Sequence, residues 1–281
     1  MKVYLSIDME GVGGIATMDQ IVRGGHGYPR AQQLMTAEAN AAIAGAFDAG
    51  AESVLVNDSH GTMDNLIHSE LDPRARLIFG SPKLQCMAEG ISADHDLALF
   101  VGYHAPSGSR GVMAHTYSGY FTEVRLNGEP VGEAEINALL AGALEVPVGL
   151  VSGDDVTCDL AERGFPGVTT VQTKVAHGFN AADSLAPSAS CHAVREGAAR
   201  AVRRAHEIRP TAVPDRLHLA IDMPTIASAE LAEAIPGARR TGARTVERDL
   251  DSPSDVIGMV TVSYQLANQG LRSMLGPLHR V

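Results

Sequence analysis

Short apolar segments alternate with longer, helix-like segments along the first half of the chain. The apolar segments are rich in β-branched residues and predict strands at residues 3–7, 53–56, 76–79, 97–101 and 148–151. Ala- and Leu-rich segments predict helices over residues 30–49, closed by Gly50, and over residues 133–144. This alternation predicts an α/β fold with a mostly parallel central sheet flanked by helices in three layers.

The pattern changes near residue 210. Pro210 and Pro214 follow a long Ala/Arg-rich helical segment and predict a boundary between residues 1–210 and residues 211–281. Beyond it, residues 217–221 and 241–248 predict strands, and residues 228–234 and 254–267 predict helices. We therefore expect a smaller C-terminal β-α-β-α lobe with two layers. Residues 121–126, followed by Asn127-Gly128, predict a hairpin.

Composition and charge narrow the class of protein. Of 281 residues, 45% are hydrophobic and 20% are charged, which is typical of a soluble globular protein. The 33 acidic residues outnumber the 22 basic ones, giving a net charge of −11, so neither a nucleic acid nor an anionic membrane is an expected partner.

The cellular compartment is predicted from apolar runs and cysteines. No stretch approaches the roughly 18–20 apolar residues of a membrane helix, and the first ten residues do not resemble a signal peptide. Cys86, Cys158 and Cys191 are few and widely spaced, which favours a reducing cytoplasm over a disulfide framework.

Polar residues follow several predicted strands. Asp8 and Glu10 follow the first strand, His60 the second and His104 the fourth. Parallel sheets bind ligands at the carboxyl ends of their strands, so these side chains are candidates for one site. Asp8 and Glu10 lie two residues apart in an extended segment, so their side chains point the same way. Because the two carboxylates repel each other, a cation, a proton or a basic side chain is expected between them. A helix cap or a solvated turn would explain either acid alone.

The ring nitrogens of His60 suit zinc, provided that an acceptor such as Asp58 or a backbone carbonyl orients the ring. Glu133 opens a predicted helix, where the helix dipole alone could explain a glutamate. Taken together, three carboxylates and two imidazoles exceed the protein ligands of a single catalytic zinc and predict two ions that share a carboxylate. The five candidate ligands are Asp8, Glu10, His60, His104 and Glu133.

Other residues carry weaker predictions. His115 lies in a Gly/Ser/Thr-rich segment of the kind that often carries catalytic groups. Asp154-Asp155 is predicted to cap the next helix. Lys174 is expected at the surface, or else against a substrate carboxylate. The other histidines lack a matching acid at a strand end and are expected to be structural or exposed: His26, His68, His95, His177, His192, His206, His218 and His279.

Five short motifs occur in order along the chain: K-x-Y-x-S-x-D-M-E-G, V-N-D-S-H, G-Y-H-A, G-V-M-x-H and P-V-G-E. Their combination resembles the DppA-type zinc D-aminopeptidases through most of the chain. The resemblance implies two zinc ions per subunit, with Asp8 bridging them. Glu10 and His60 would complete one zinc site or would be shared between the two sites. His104 and Glu133 would hold the other zinc ion. His115 would be the catalytic side chain.

The same resemblance implies a substrate and an assembly. The substrates would be short peptides with a D-amino acid, typically D-alanine, at the free N-terminus. The protein would be cytoplasmic and would form ring-shaped homo-decamers with an internal chamber. The hypothesis for the reaction is attack on the scissile amide by a metal-bridged hydroxide. His115 would stabilise the oxyanion or move a proton to the leaving amine; a nucleophilic role also stays open.

Two other functions share part of this pattern. A two-metal phosphoesterase also uses Asp and His at strand ends, but such enzymes usually have Asp-x-His where this chain has Asp8-Met9-Glu10. A non-enzymatic peptide-binding protein would not need five metal-type ligands.

Overall fold

The computed structural model describes residues 1–275, and His279 lies outside the described residues. The strands in chain order are β1 (Lys2–Ile7), β2 (Ser53–Asp58), β3 (Arg76–Ile78), β4 (Leu97–Val101), β5 (Glu123–Leu126), β6 (Glu129–Pro130), β7 (Val148–Asp154), β8 (Thr169–Gly178), β9 (Ala181–Ser184), β10 (Leu217–Asp222), β11 (Arg239–Arg240) and β12 (Thr245–Leu250). The α-helices are α1 (Met18–Ile21), α2 (Tyr28–Asp48), α3 (Glu133–Ala143), α4 (Asp155–Gly164), α5 (Pro187–Arg203), α6 (Ile226–Glu233) and α7 (Pro253–Leu275).

The larger sheet has seven strands in the order β3-β2-β1-β4-β7-β8-β9. All neighbouring strands are parallel except β8 and β9, which are antiparallel. Helices α2 and α5 pack on one face of this sheet, and α3 and α4 contribute to the core on the other face. The predicted three-layer α/β fold is therefore confirmed.

The edge hairpin of β8 and β9 was not predicted. Residues 169–173 alternate between buried and more exposed positions, which is the pattern of a strand with one covered face. The sequence does not show this alternation, because threonines occupy the buried positions 169 and 173.

The smaller sheet is antiparallel, with the order β11-β12-β10-β5-β6. The predicted hairpin is present, and Asn127 and Gly128 have positive φ values of 54° and 91° in its turn. Beyond residue 210 the predicted order of strand, helix, strand and helix is observed, although β12 starts at Thr245 rather than at residue 241. The division at residue 210 stays a prediction, and β5 and β6 join this sheet from the earlier part of the chain.

Helix α3 lies between the two sheets. Its small residues Ala134, Ala138 and Ala141 belong to the core beneath the larger sheet. On another side of the helix, Ile136 and Leu139 pack into the core of the smaller sheet. Because Glu133 begins this helix, both cores fix its position. Within residues 1–275, no helix has the length and apolar character to span a membrane.

Candidate metal centre

The segments that follow β1 and β4 approach each other closely at the carboxyl edge of the larger sheet. The backbone N–H of Gly11 donates to the carbonyl of Gly102 over 2.8 Å. A Cβ atom on Gly11 would collide with the carbonyl oxygen of Tyr103, so a glycine is required there. This approach places Asp8 and Glu10 beside His104.

The first candidate group consists of Asp8, Glu10 and His60, all buried. The Nδ1 atom of His60 lies 3.1 Å from Oδ1 of Asp8 and 3.0 Å from Oε2 of Glu10. Two carboxylates therefore converge on one imidazole nitrogen.

The second candidate group consists of Asp8, His104 and Glu133, also buried. The Nε2 atom of His104 lies 3.4 Å from Oδ2 of Asp8 and 3.2 Å from Oε2 of Glu133. Asp8 thus presents one oxygen to each group. This is the geometry expected of a carboxylate shared between two ions.

The proton positions on the two histidines can be inferred from their other ring nitrogens. Nε2 of His60 lies 2.8 Å from the carbonyl oxygen of Ile21, and Nδ1 of His104 lies 3.0 Å from that of Ala105. A carbonyl oxygen only accepts, so each of these nitrogens carries a proton. In a neutral imidazole, the other nitrogen then turns a lone pair towards the carboxylates. Among the described residues, the buried Nε2 of His104 has no hydrogen-bond partner.

This arrangement calls for positive charge between the side chains. Burial disfavours charge on His60 and His104, but the nearby carboxylates outweigh it and raise the pKa of each imidazole well above its usual value. Burial also opposes ionisation of Asp8, but its interactions with the imidazoles of His104 and His60 outweigh it and lower its pKa to about 2. A divalent cation between the side chains would supply this positive charge. The carboxylate oxygens and imidazole nitrogens are ligands that suit zinc.

His115 lies beside the second group and is half-buried. Its Nδ1 atom is 2.8 Å from the carbonyl oxygen of Met113, and its Nε2 atom is 3.7 Å from Oε1 of Glu133. Donor atoms of Glu10, His104 and His115 also lie close enough to form a third possible ligand set. The structure therefore brings together all six residues singled out from the sequence, and their separate roles stay predictions.

Glu133 is oriented by its surroundings. The backbone N–H of Tyr117 donates to its Oε1 atom over 2.6 Å. Burial opposes ionisation of Glu133, but the charge of His104 outweighs it and lowers the pKa of the carboxyl. Its place in the first turn of α3 suits the helix dipole as well as a metal, so the two explanations are compatible.

Of the two kinds of acceptor expected to orient His60, the structure has the backbone carbonyl, that of Ile21, and not Asp58. The carboxylate of Asp58 accepts hydrogen bonds from the backbone N–H groups of Asn65 and Leu66, over 2.6 and 2.8 Å, so it organises the turn after β2. Asp154 caps α4 as predicted, since its side chain accepts from the backbone N–H of Thr157.

The predicted surface position of Lys174 is wrong. This side chain is 2% exposed, and its Nζ atom donates to the carbonyls of Glu10, Val12 and Ile15, the first two over 2.6 and 2.7 Å. Lys174 thereby fixes the loop after β1 that carries Glu10. Burial lowers the pKa of this ammonium to about 8. Nothing in the local sequence indicates this contact, because it joins β8 to a loop more than 150 residues earlier.

The candidate ligands open into a cavity of about 880 Å³. This volume is in the range of sites for small molecules. Its walls combine the polar centre with apolar and aromatic side chains, including Met18, Ile21, Tyr117, Phe121, Phe179 and Tyr264.

Comparisons with known proteins agree with this geometry. Residues 1–262 match the model of a family described as D-aminopeptidase. The chain is 39% identical over 268 residues to the D-aminopeptidase of Bacillus subtilis strain 168, covering 95% of this chain and 98% of that protein. It also superposes with a TM-score of 0.92 on the solved structure of "Zn-dependent D-aminopeptidase DppA from Bacillus subtilis, a self-compartmentalizing protease". That match has 37% sequence identity and covers 95% of this chain and 98% of the other.

Proposed function

The chain belongs to the D-aminopeptidase family, and we propose that it removes N-terminal D-amino acids, typically D-alanine, from short peptides with the help of two zinc ions. The observation that carries this proposal is the convergence of five side chains of metal-binding type, with the carboxylate of Asp8 common to both groups. Membership of the D-aminopeptidase family supports the same function. The similar B. subtilis structure is described as zinc-dependent.

The chain's own residues define how the ions would be held. Asp8 would bridge them, Glu10 and His60 would complete one site, and His104 and Glu133 would complete the other. When bound, such a pair of ions supplies Lewis acidity that activates a water molecule and polarises an amide carbonyl.

We propose that His115 acts on the substrate and does not hold metal. Its ring lies over that of His104, and it lines the cavity from a half-buried position. Met113 fixes one ring nitrogen through its carbonyl, so the Nε2 atom is left to face the reacting groups. From there it would stabilise the developing oxyanion or deliver a proton to the leaving amine.

The decisive experiment is a stereochemical one. Zinc-loaded protein is incubated with D-alanyl-glycine and with L-alanyl-glycine, and released alanine is measured. We expect release from the D-isomer, and its loss after chelation with recovery when zinc is restored. An aryl phosphate in parallel tests the phosphoesterase alternative, which the comparisons do not favour. Cleavage of the phosphate without cleavage of the peptide would contradict the proposal.

We further propose that the chain forms a homo-oligomer, specifically a decameric ring. The similar B. subtilis protease is described as self-compartmentalizing. Several large apolar side chains are exposed on a single chain and would be covered in an assembly, among them Leu84 at 86%, Phe79 at 54% and Val262 at 48%. Light scattering should give ten times the mass of one chain, and a monomer would contradict the assembly without affecting the site.

A cytoplasmic location completes the proposal. Cys86, Cys158 and Cys191 are all free thiols, as a reducing compartment favours. Fractionation of cells that produce the protein should place it in the cytoplasmic extract.

A further inference from the structure

Lys83 lies on the wall of the cavity that contains the candidate metal centre. It is half-buried and comes shortly after β3. Its Nζ atom donates to Oδ1 of Asn57 and to the carbonyl oxygen of Asp58, both over 2.6 Å. These acceptors belong to the end of β2, just before His60. The ammonium is therefore held at a fixed position on the cavity wall.

Within the described part of the chain, this ammonium has no counter-ion. Both of its acceptors are neutral, and among residues 1–275 no carboxylate lies within ion-pair distance of it. An ammonium has three N–H donors, so one stays without a protein acceptor among the described residues. Burial lowers the pKa of Lys83 to about 8, because it is unfavourable to remove a charged ammonium from water without a carboxylate partner.

Arg23 also lines the cavity, but its charge is already satisfied. Its guanidinium lies 3.5 Å from the carboxylate of Asp64 and donates to the backbone carbonyl of the same residue over 2.6 Å. Its side chain is also more than half exposed, at 53%. Lys83 is thus the better candidate for binding an anion.

A fixed positive charge in the cavity would favour the binding of an anionic ligand. The acidic groups of the cavity and the net charge of −11 repel an anionic ligand, unless a fixed positive charge offsets them. A short peptide carries its free amine at one end and a carboxylate at the other. With the N-terminal end at the metal centre, the carboxylate of a short peptide falls further along the cavity wall.

We propose that Lys83 binds a carboxylate of the peptide substrate and thereby makes the site selective for short peptides that carry a carboxylate beyond the scissile bond. This inference rests on the proposed function, since it takes a peptide as the ligand. The carboxylate is that of the C-terminus or of an acidic side chain after the scissile bond, and these two sources share one chemistry.

Three ligands distinguish the sources: D-alanyl-glycine, its C-terminal amide, and D-alanyl-aspartic acid amide. Binding is measured by calorimetry on zinc-loaded protein in a His115→Ala background, so the result does not require turnover. We expect the free acid to bind at least about tenfold more tightly than its amide, as a hydrogen-bonded charge pair provides. Tight binding of the aspartic acid amide would assign the contact to a side chain.

The substitution Lys83→Met should bring the ratio of the two affinities close to one, and Lys83→Arg should restore part of it. Arg23→Met is the matched control and should keep the wild-type ratio. Zinc content and melting temperature verify that Lys83→Met leaves the fold and the metal centre intact. The proposal is overturned if neither the free acid nor the aspartic acid amide binds more tightly than D-alanyl-glycine amide, or if Lys83→Met preserves the advantage.

The same ligands are then tested as substrates of protein with an intact His115. The preference for the free acid should appear mainly in KM. It should be lost in Lys83→Met and partly restored in Lys83→Arg. If no peptide is cleaved while the binding preference persists, the aminopeptidase function fails and the carboxylate site stands.

Discussion

The imidazole rings of His104 and His115 stack face to face, with their centroids 4.1 Å apart and their planes inclined by 12°. The two rings have different surroundings, because His104 is buried among the carboxylates and His115 reaches the cavity. Stacking on a fixed ring restricts the orientation of His115 without requiring it to bind metal.

Replacing His115 should separate catalysis from metal binding. We expect His115→Ala to lower kcat by about 10²–10⁴-fold, as loss of a proton-transferring group does, while zinc content stays at the wild-type level. The measurements are D-alanyl-glycine kinetics and metal analysis by mass spectrometry. His192→Ala serves as the control, since His192 is 72% exposed and lies outside the cavity. Loss of zinc from His115→Ala would instead make His115 a ligand, as in the group of Glu10, His104 and His115.

Metal stoichiometry should depend on which carboxylate is removed. Asp8 takes part in both candidate groups, whereas Glu133 takes part in one. Asp8→Ala should therefore abolish binding of both ions, and Glu133→Ala should leave one of the two after dialysis against zinc-free buffer. Asp94→Ala, at an exposed position, should retain both. Equal zinc content in the Asp8 and Glu133 variants would argue against the bridging role.

Removing Lys174 should destabilise the protein. Lys174→Met leaves the carbonyls of Glu10, Val12 and Ile15 without their buried donor. The carbonyl of Val12 keeps the N–H of Ile15 as a donor, so two carbonyls lose their partner. The expected loss is about 2 kcal/mol or more in the free energy of unfolding, because each unsatisfied buried group costs on the order of 1–3 kcal/mol. Urea unfolding measures it. Gln172→Met, at an exposed position of the same strand, should change stability little. A loss no larger than in this control would show that the carbonyls find other donors.

The smaller sheet should contain an acid-sensitive ion pair. Arg125 on β5 donates to the carboxylate of Asp222 on β10 over 2.7 and 3.3 Å. Burial raises the pKa of Asp222, but hydrogen bonds from Arg125 and Thr245 outweigh it and lower the pKa below its usual value. The stabilisation is therefore complete above the unfolded pKa and is lost as pH falls through the lower folded pKa.

Arg125→Met should accordingly lower the free energy of unfolding by about 1 kcal/mol at pH 7, which is the upper end of the range for a partly exposed ion pair. The difference from wild type should shrink when the pH of the urea titration is lowered below about 4, the ordinary pKa of an aspartate. Arg239→Met is the control, since its nearest carboxylate is 3.8 Å away and its side chain is 66% exposed. A difference that does not change with pH would mean that Arg125 acts through packing.

The candidate site was largely predictable because its residues follow apolar strands. Asp8, His60 and His104 each come just after a strand of the parallel sheet, and the topology of such sheets brings those ends together. Glu133 was less certain from sequence, since a glutamate in a first helical turn is common. Its position becomes specific only because α3 packs between the two sheets.

The unpredicted features depend on distant parts of the chain. Lys174 looks like an ordinary strand lysine until the loop after β1 folds over it. Lys83 follows Ser81-Pro82 in an irregular segment, and no local pattern shows that it lies on the cavity wall without a counter-ion among residues 1–275. The smaller sheet combines β5 and β6 with strands nearly 90 residues later, so its composition could not be inferred from a boundary at residue 210.

The contact of Lys174 with the loop after β1 has a consequence for biosynthesis. All five candidate ligands precede Lys174 in the chain, and Glu133, the last of them, lies 41 residues before it. Until β8 is synthesised, the carbonyls of Glu10 and Val12 lack the ammonium that holds their loop in the folded protein. We therefore expect the loop that carries Glu10 to take up its final conformation only after all five candidate ligands have been translated.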